Sequence, residues 1–115
     1  RPRSFPDGLD IEVFNFETLK STNVHAKKKH EREHVTPYMR KNNDMKKSCI
    51  KYNDDLSKLR WTLDTIEDLQ VIKEVFKYFY PRMDFSWEEV LRFYESNRKL
   101  FEINQHLNRN YNTNL

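Results

Sequence analysis

The sequence contains very little glycine and cysteine. Its 115 residues include one glycine, Gly8, where an average usage of about 7% would give roughly eight. A loop that cradles phosphates needs several glycines for tight turns and close backbone approach, so these residues contain no such loop. The lone cysteine, Cys49, excludes an internal disulfide or a thiolate metal cluster. This cysteine usage favours a reducing compartment, for which we expect the cytoplasm.

Long hydrophobic runs are also lacking. No apolar run approaches the roughly 20 residues that a membrane span requires, so no membrane contact is expected. The sequence instead has 34% charged and 14% aromatic residues, which is typical of one globular domain at most. The absence of an initiator methionine before Arg1 indicates a piece of a longer chain.

The positive charge is concentrated in the middle of the chain. Residues 1–19 have a net charge of −2, residues 20–60 of +7 and residues 61–115 of −2. The basic segment 20–60 could bind nucleic acid, bind a phosphate-bearing substrate or form a solvated loop. Nucleic-acid binding is the weaker alternative, because the aromatic residues lie mainly outside this segment and cannot serve as stacking platforms there.

Two stretches alternate between apolar and polar residues, which is the period of a half-buried strand. The first runs from Leu9 to Phe14 after a turn at residues 6–8, and the second runs from Leu59 to Asp64. Two strands alone are marginal in water, so the missing strands of such a sheet are expected to come from elsewhere.

The region between these strands reads as mostly irregular. A short helix is predicted from Phe16 to Lys20, and the polar residues 21–30 are predicted to form a loop or arm. Pro37 is expected to interrupt any helix that would run through Glu31 to Tyr38 and to favour extended backbone at Thr36.

Three amphipathic helices are predicted in the last third of the chain. Thr65, Glu67 and Asp68 form a helix-start signature, because the hydroxyl accepts from first-turn amides and the helix dipole favours acidic residues there. Ser86 begins a similar signal. Apolar residues at helical spacing predict helices over residues 66–79, 87–94 and 100–107.

Three carboxylates are candidates for a binding site. Asp10 and Glu12 project from one face of the first predicted strand, where they could bind sugar hydroxyls, share a metal or form an exposed acidic face. Asp64 ends the second strand just before a helix, where open α/β sheets bind ligands. It could ligate Mg²⁺ or only help Thr65 to cap the helix. Arg60 shares the face of Asp64 and could hold an anion.

The histidines suggest a zinc site only weakly. His30 and His34 stand four residues apart and His25 lies nearby, but no thiolate accompanies them. The intervening Glu31 and Glu33 do not match the metalloprotease pattern. A polar contact made by His34 alone is the favoured alternative.

Four blocks of sequence stand in a distinctive order and spacing. They are Pro6-Asp7-Gly8-Leu9-Asp10-Ile11-Glu12-Val13-Phe14, Glu31-Arg32-Glu33-His34-Val35-Thr36-Pro37-Tyr38, Asp55-Leu56-Ser57-Lys58-Leu59-Arg60-Trp61-Thr62-Leu63-Asp64-Thr65 and Glu67-Asp68-Leu69. In this register they resemble the C-terminal half of cytidylyltransferases of the spore-coat polysaccharide type. Those enzymes are related to the ones that make CMP-activated sialic acid and 3-deoxy-octulosonate.

The resemblance implies an α/β fold, namely the C-terminal part of a Rossmann-like nucleotidyltransferase domain of the nucleotide-diphospho-sugar transferase type. Residues 1–80 would be the sugar- and metal-binding half of that domain, and residues 81–115 a C-terminal helical extension. The family's CTP-binding loop is absent, so this piece alone is expected to be inactive. A homodimer through the basic segment 20–60 is also implied, because relatives commonly pair through this region.

The implied reaction joins CTP to an acidic sugar, a 2-keto-3-deoxy sugar acid, with Mg²⁺, giving a CMP-sugar and pyrophosphate for polysaccharide or glycoconjugate synthesis. The family's metal-binding aspartate maps onto Asp64, although Ile66 stands where the family usually has proline. The remaining substrate-binding candidates are Asp10, Glu12, His34, Thr36 and Arg60. The alternative function is a non-catalytic interaction module or a nucleic-acid-binding module.

Overall fold

The computed structural model describes residues 3–107, which divide into two compact units. Unit 1 contains the described residues up to Asp10 together with those from Lys51 onward, and unit 2 is Ile11–Ile50. The domain boundary that the resemblance implies at residue 80 falls inside unit 1. No helix in the described part of the chain has the length and apolar character needed to cross a membrane.

Unit 2 is built from three helices, α1 (Phe16–His25), α2 (Lys29–Glu33) and α3 (Pro37–Lys41). The first begins where the side chain of Asn15 accepts a hydrogen bond from the first turn. The prediction of a loop or arm over residues 21–30 is wrong, because α1 continues to His25 and α2 starts at Lys29. A polar, basic composition is typical of loops, but it does not prevent these residues from forming helices.

No helix runs continuously from Glu31 to Tyr38, as predicted, because α2 ends at Glu33 and Pro37 starts α3. Pro37 occupies the first turn of α3, where its missing N–H would have no partner in any case. Thr36 precedes it with φ −96° and ψ −7°, so the prediction of extended backbone at this residue is wrong. Val35, between α2 and α3, adopts the left-handed region at φ 64°.

Unit 1 contains the predicted C-terminal helices, α4 (Ile66–Phe79), α5 (Trp87–Ser96) and α6 (Arg98–Gln105). Capping boxes at Thr65 and Ser86 begin α4 and α5 at the predicted positions. The helices pack around a mainly aromatic and β-branched core. Its buried members are Val71, Val75, Phe93 and Phe101.

The predicted strands do not form a regular sheet among residues 3–107. One parallel bridge joins Arg60, in the second predicted strand, to Asp7, which lies in the predicted turn before the first one. The Asp7 N–H donates to Leu59 O (2.8 Å) and the Trp61 N–H donates to Asp7 O (2.7 Å). Residues 9–14 are not a strand, and the side chain of Val13 is exposed. A regular sheet needs several neighbouring strands, and residues 3–107 supply only this one bridge.

The bridge depends on Gly8. This residue has φ 105°, and a Cβ added to it would overlap the carbonyl group of Trp61, with the carbonyl carbon only 2.7 Å away. We therefore expect Gly8→Ala to lower the free energy of unfolding by about 2–4 kcal/mol, from combined backbone strain and overlap. Urea denaturation measures this loss. Lys58→Ala, at an exposed position next to Leu59, should change stability by less than about 0.5 kcal/mol. Equal stability of the two variants would contradict the prediction.

Candidate functional site

Asp68, in the first turn of α4, is the centre of a buried polar network. Its side chain is fully buried, and the guanidinium of Arg60 binds it through both oxygens. Nε donates to Oδ1 and an Nη donates to Oδ2, each at 2.9 Å. Arg60 is itself only 3% exposed. This two-point geometry is the strongest form of an arginine–carboxylate pair.

The loop that precedes α4 wraps around the same carboxylate. Oδ2 of Asp68 accepts hydrogen bonds from the Thr62 hydroxyl (2.9 Å), the Asp64 N–H (2.9 Å) and the Thr65 N–H (3.2 Å). In return the Asp68 N–H donates to the Thr65 hydroxyl at 3.2 Å. The conformation of residues 62–65 is therefore tied to the position of one buried side chain.

Helix α6 closes the network from another side. Nδ2 of Asn104, a residue only 1% exposed, donates to Oδ1 of Asp68 at 2.9 Å and to the backbone oxygen of Arg60 at 3.0 Å. Both oxygens of Asp68 thus have their acceptor capacity occupied by protein donors. Asp68 is therefore a structural residue and is poorly suited to bind a metal.

The network changes the acidity of its members. Burial by itself would raise the pKa of Asp68, but the hydrogen bonds from Arg60, the Asp64 backbone, Asn104 and Thr62 outweigh it and hold this pKa far below its usual range. The hydrogen bond to Asp68 raises the pKa of Arg60 against the opposing effect of burial. Both groups therefore remain charged at any physiological pH.

This lowered pKa makes part of the stability depend on pH. Because the folded state holds the Asp68 proton more weakly than the unfolded chain does, the contribution is complete above the unfolded pKa of about 3.9 and is lost as pH falls below it. We expect the difference in unfolding free energy between the wild type and Asp68→Asn to be constant from pH 7 to 5 and to shrink from pH 4 to 3. Urea titrations at these pH values test this, and a difference that stays constant down to pH 3 would refute it.

Asp64 lies at the surface of the network. Its side chain is 55% exposed, and Oδ2 lies 3.5 Å from an Nη of Arg60. Asp7 approaches the other Nη at 3.8 Å. The carboxylates of Asp7, Asp64 and Asp68 thus surround one guanidinium and give this cluster a net charge of −2.

The Asp64 carboxylate fits a role as one ligand of Mg²⁺. Such ions are usually held by one or two carboxylates together with substrate phosphates and waters, rather than by a complete protein cage. No group of three histidine, cysteine or acidic side chains among residues 3–107 could hold a metal. Asp64 supplies a hard, solvent-accessible oxygen in a region of net negative charge, so any further ligands would have to come from outside the described residues, from substrate or from water.

The other predicted site residues lie in different surroundings. Asp10 of unit 1 forms an ion pair with Arg3 at 3.1 Å. In unit 2, Glu12 lies 3.6 Å from Nε of Arg40. His34 and Thr36, also in unit 2, occupy the C-cap of α2 and the N-cap of α3. The structure brings Arg60 and Asp64 into contact.

The geometry gives Arg60 a different role from the predicted one. As a buried partner of Asp68, its guanidinium organises the loop rather than facing a substrate. From the sequence, Asp68 was predicted only to favour the start of α4. That signal does not indicate that Arg60 is its partner. Asn104 was missed entirely, because it is separated from Arg60 by 44 positions and no local pattern connects them.

The histidines do not form a cluster of metal ligands within the described residues. His25 instead contacts its own helix, with Nδ1 lying 2.8 Å from the backbone oxygen of Ser21. Its ring also stacks on Tyr38 with a centroid separation of 6.2 Å. The stacking joins α1 to α3 within unit 2.

Comparison with known proteins gives two relatives. The chain is 32% identical to protein MJ1063 of Methanocaldococcus jannaschii over 103 residues, which are 87% of this chain and 42% of that protein. A solved structure of a cytidylyltransferase from Leptospira borgpetersenii serovar Hardjo-bovis (strain JB197) matches with a TM-score of 0.76 and 30% identity, over 86% of this chain and 42% of the other. No model of a known protein family matches the sequence.

The similarity to the solved cytidylyltransferase in both fold and sequence indicates the class of protein to which this fold belongs. The chain has the fold of part of a nucleotidyltransferase. More particularly, the enzyme it is similar to is a cytidylyltransferase, in agreement with the resemblance seen in the sequence. The chain spans less than half the length of both relatives.

Proposed function

We propose that this chain is the sugar- and metal-binding side of a cytidylyltransferase that couples CTP to an acidic sugar. In the reaction, a sugar hydroxyl oxygen forms a bond to the α-phosphorus of CTP, and the bond from that phosphorus to the pyrophosphate oxygen breaks. The hydroxyl proton is released, and the products are a CMP-sugar and pyrophosphate. A 2-keto-3-deoxy sugar acid is the proposed acceptor, as in the family that the sequence resembles.

The observation that carries this proposal is the likeness to a cytidylyltransferase structure over 86% of the chain, combined with the presentation of Asp64. Arg60 and Asp68 fix the loop from within, and the Asp64 side chain extends from it toward solvent. A rigid support of this kind suits a reaction that relies on positioning more than on covalent catalysis.

Asp64 would hold Mg²⁺, which when bound supplies positive charge that stabilises the phosphate oxygens during transfer. The protein's own contribution is to fix that carboxylate and to keep the cluster anionic. Asp10 and Glu12 are proposed to accept hydrogen bonds from sugar hydroxyls, with His34 and Thr36 as further polar contacts. Arg60 acts within this proposal by supporting Asp64.

The experiment is an assay of pyrophosphate release by the protein expressed from its complete reading frame. CTP and Mg²⁺ would be combined with a panel of 2-keto-3-deoxy sugar acids, with neutral hexoses as controls. We expect release that requires both the acid and the metal. Absence of release with every sugar acid, by a protein shown to be folded, would overturn the proposal.

Pairing of two copies through the basic segment 20–60 is part of the same proposal. Apolar side chains are exposed within this segment, including Val24 (59%), Val35 (45%) and Ile50 (86%). These side chains would be accessible to a second copy, and the pairing itself is proposed from the family that the sequence resembles.

A further inference from the structure

We propose that Asn104 is a positioning residue for the Asp64 carboxylate. Helix α6 would then help to hold the candidate metal ligand in place. This inference rests on the metal role proposed above for Asp64. Asn104 contacts neither a metal nor a substrate in this account. It acts through Asp68, which it holds against the loop that carries Asp64.

The connection runs through two oxygens of one carboxylate. Asn104 Nδ2 donates to Oδ1 of Asp68 at 2.9 Å, while Oδ2 accepts from the backbone N–H of Asp64 at 2.9 Å. A shift of the Asp68 side chain therefore displaces the backbone from which the Asp64 side chain extends. The second Asn104 bond, to the backbone oxygen of Arg60, fixes the other end of the same loop.

Packing alone does not explain an asparagine at this position. Asn104 lies on the inward side of α6 near the buried Phe101, where an apolar residue would fill space without desolvating an amide. Among the described groups, its Oδ1 is buried and has no hydrogen-bond partner. Burying such an acceptor without a partner destabilises the folded state. The buried Oδ1 of Asn104 therefore destabilises the fold, and what the amide contributes is the two hydrogen bonds that Nδ2 donates.

The test measures Mn²⁺ binding by NMR, with Mn²⁺ alone as the probe in place of Mg²⁺ because both prefer oxygen ligands. The readout is paramagnetic broadening of the Asp64 amide signal as Mn²⁺ is added to the protein. We expect Asn104→Leu to raise the half-effective Mn²⁺ concentration by about 10-fold or more, which is typical for loss of a partner that orients a ligand. Asn104→Ser, which keeps a hydroxyl donor, should raise it less.

Asn97→Ala is the matched control. Asn97 also donates through Nδ2 to a backbone oxygen, that of Phe93 at 2.9 Å. It lies between α5 and α6, where its side chain makes no capping hydrogen bond to α6. This variant should lose stability and keep the wild-type Mn²⁺ concentration. Far-UV circular dichroism confirms folding of each variant, and Asn104→Ser carries the test if Asn104→Leu does not fold.

Asp64→Ala separates the two proposals. If it weakens the Mn²⁺ effect while both Asn104 variants behave as wild type, the positioning role is wrong and the proposed function stands. If Asp64→Ala leaves the Mn²⁺ effect unchanged as well, the metal role fails and the inference fails with it. Weakening by Asp64→Ala and by the Asn104 variants, but not by Asn97→Ala, supports both.

Discussion

Asp68→Ala is expected to lower the free energy of unfolding by about 3–5 kcal/mol, which is the usual cost of breaking a buried ion pair. The loss arises because Arg60, only 3% exposed, would keep its charge without its two-point partner. The loop donors at Thr62, Asp64 and Thr65 would also lose their shared acceptor. Urea denaturation at pH 7 measures the change.

A double variant and an exposed pair provide the controls for this prediction. Adding Arg60→Met to Asp68→Ala removes the unpaired charge, so the double variant should lose less stability than the two single variants together. Asp84→Ala breaks an exposed contact with Arg82 at 3.3 Å and should cost less than about 1 kcal/mol. If Asp68→Ala cost no more than Asp84→Ala, the buried network would not be a major source of stability.

Asp64→Ala is expected to reduce nucleotidyl transfer by at least about 100-fold in the protein expressed from its complete reading frame. A fixed group that stabilises charge in the transition state typically contributes this much or more. Stability should change by less than about 1 kcal/mol, because the Asp64 side chain is more than half exposed and its contact with Arg60 is 3.5 Å long. The measurement is the initial rate of pyrophosphate release over a range of Mg²⁺ concentrations.

The same assay distinguishes a metal role from a structural one. Asp84→Ala removes an equally negative, exposed side chain in unit 1 and should leave the rate unchanged. Partial recovery of Asp64→Asn at high Mg²⁺ would support ligation, since an amide oxygen is a weaker ligand. Undiminished transfer by Asp64→Ala would remove Asp64 from the proposed site.

The helices of unit 1 were predictable because their signals are local. Thr65 and Ser86 each stand three residues before an acidic side chain, and the apolar spacing that follows fits one helix face. In unit 2, α2 and α3 were missed. Their short sequences carry many charges, and Pro37 signals a helix start as readily as a helix end.

The strands and the network could be predicted only in part, because both depend on distant partners. Alternation at 9–14 and 59–64 predicts two strands, but the bridge among the described residues joins Arg60 to Asp7, which lies before the first of these stretches. Asp64 could be selected from its place before a helix. The coupling of Asp68 to Asn104 joins residues 36 positions apart, which no periodicity or short motif reveals.

The hydrogen bond from Asn104 to Arg60 joins residues that are synthesised at different times. A ribosome adds Asn104 after Arg60, the whole of α4 and the whole of α5 have been made, and its amide then bonds back across 44 positions. Domains complete their long-range contacts only when the participating segments have all emerged. A nascent chain that stops before α6 would hold Asp68 without this donor, so the loop bearing Asp64 lacks one of its supports until α6 has been made.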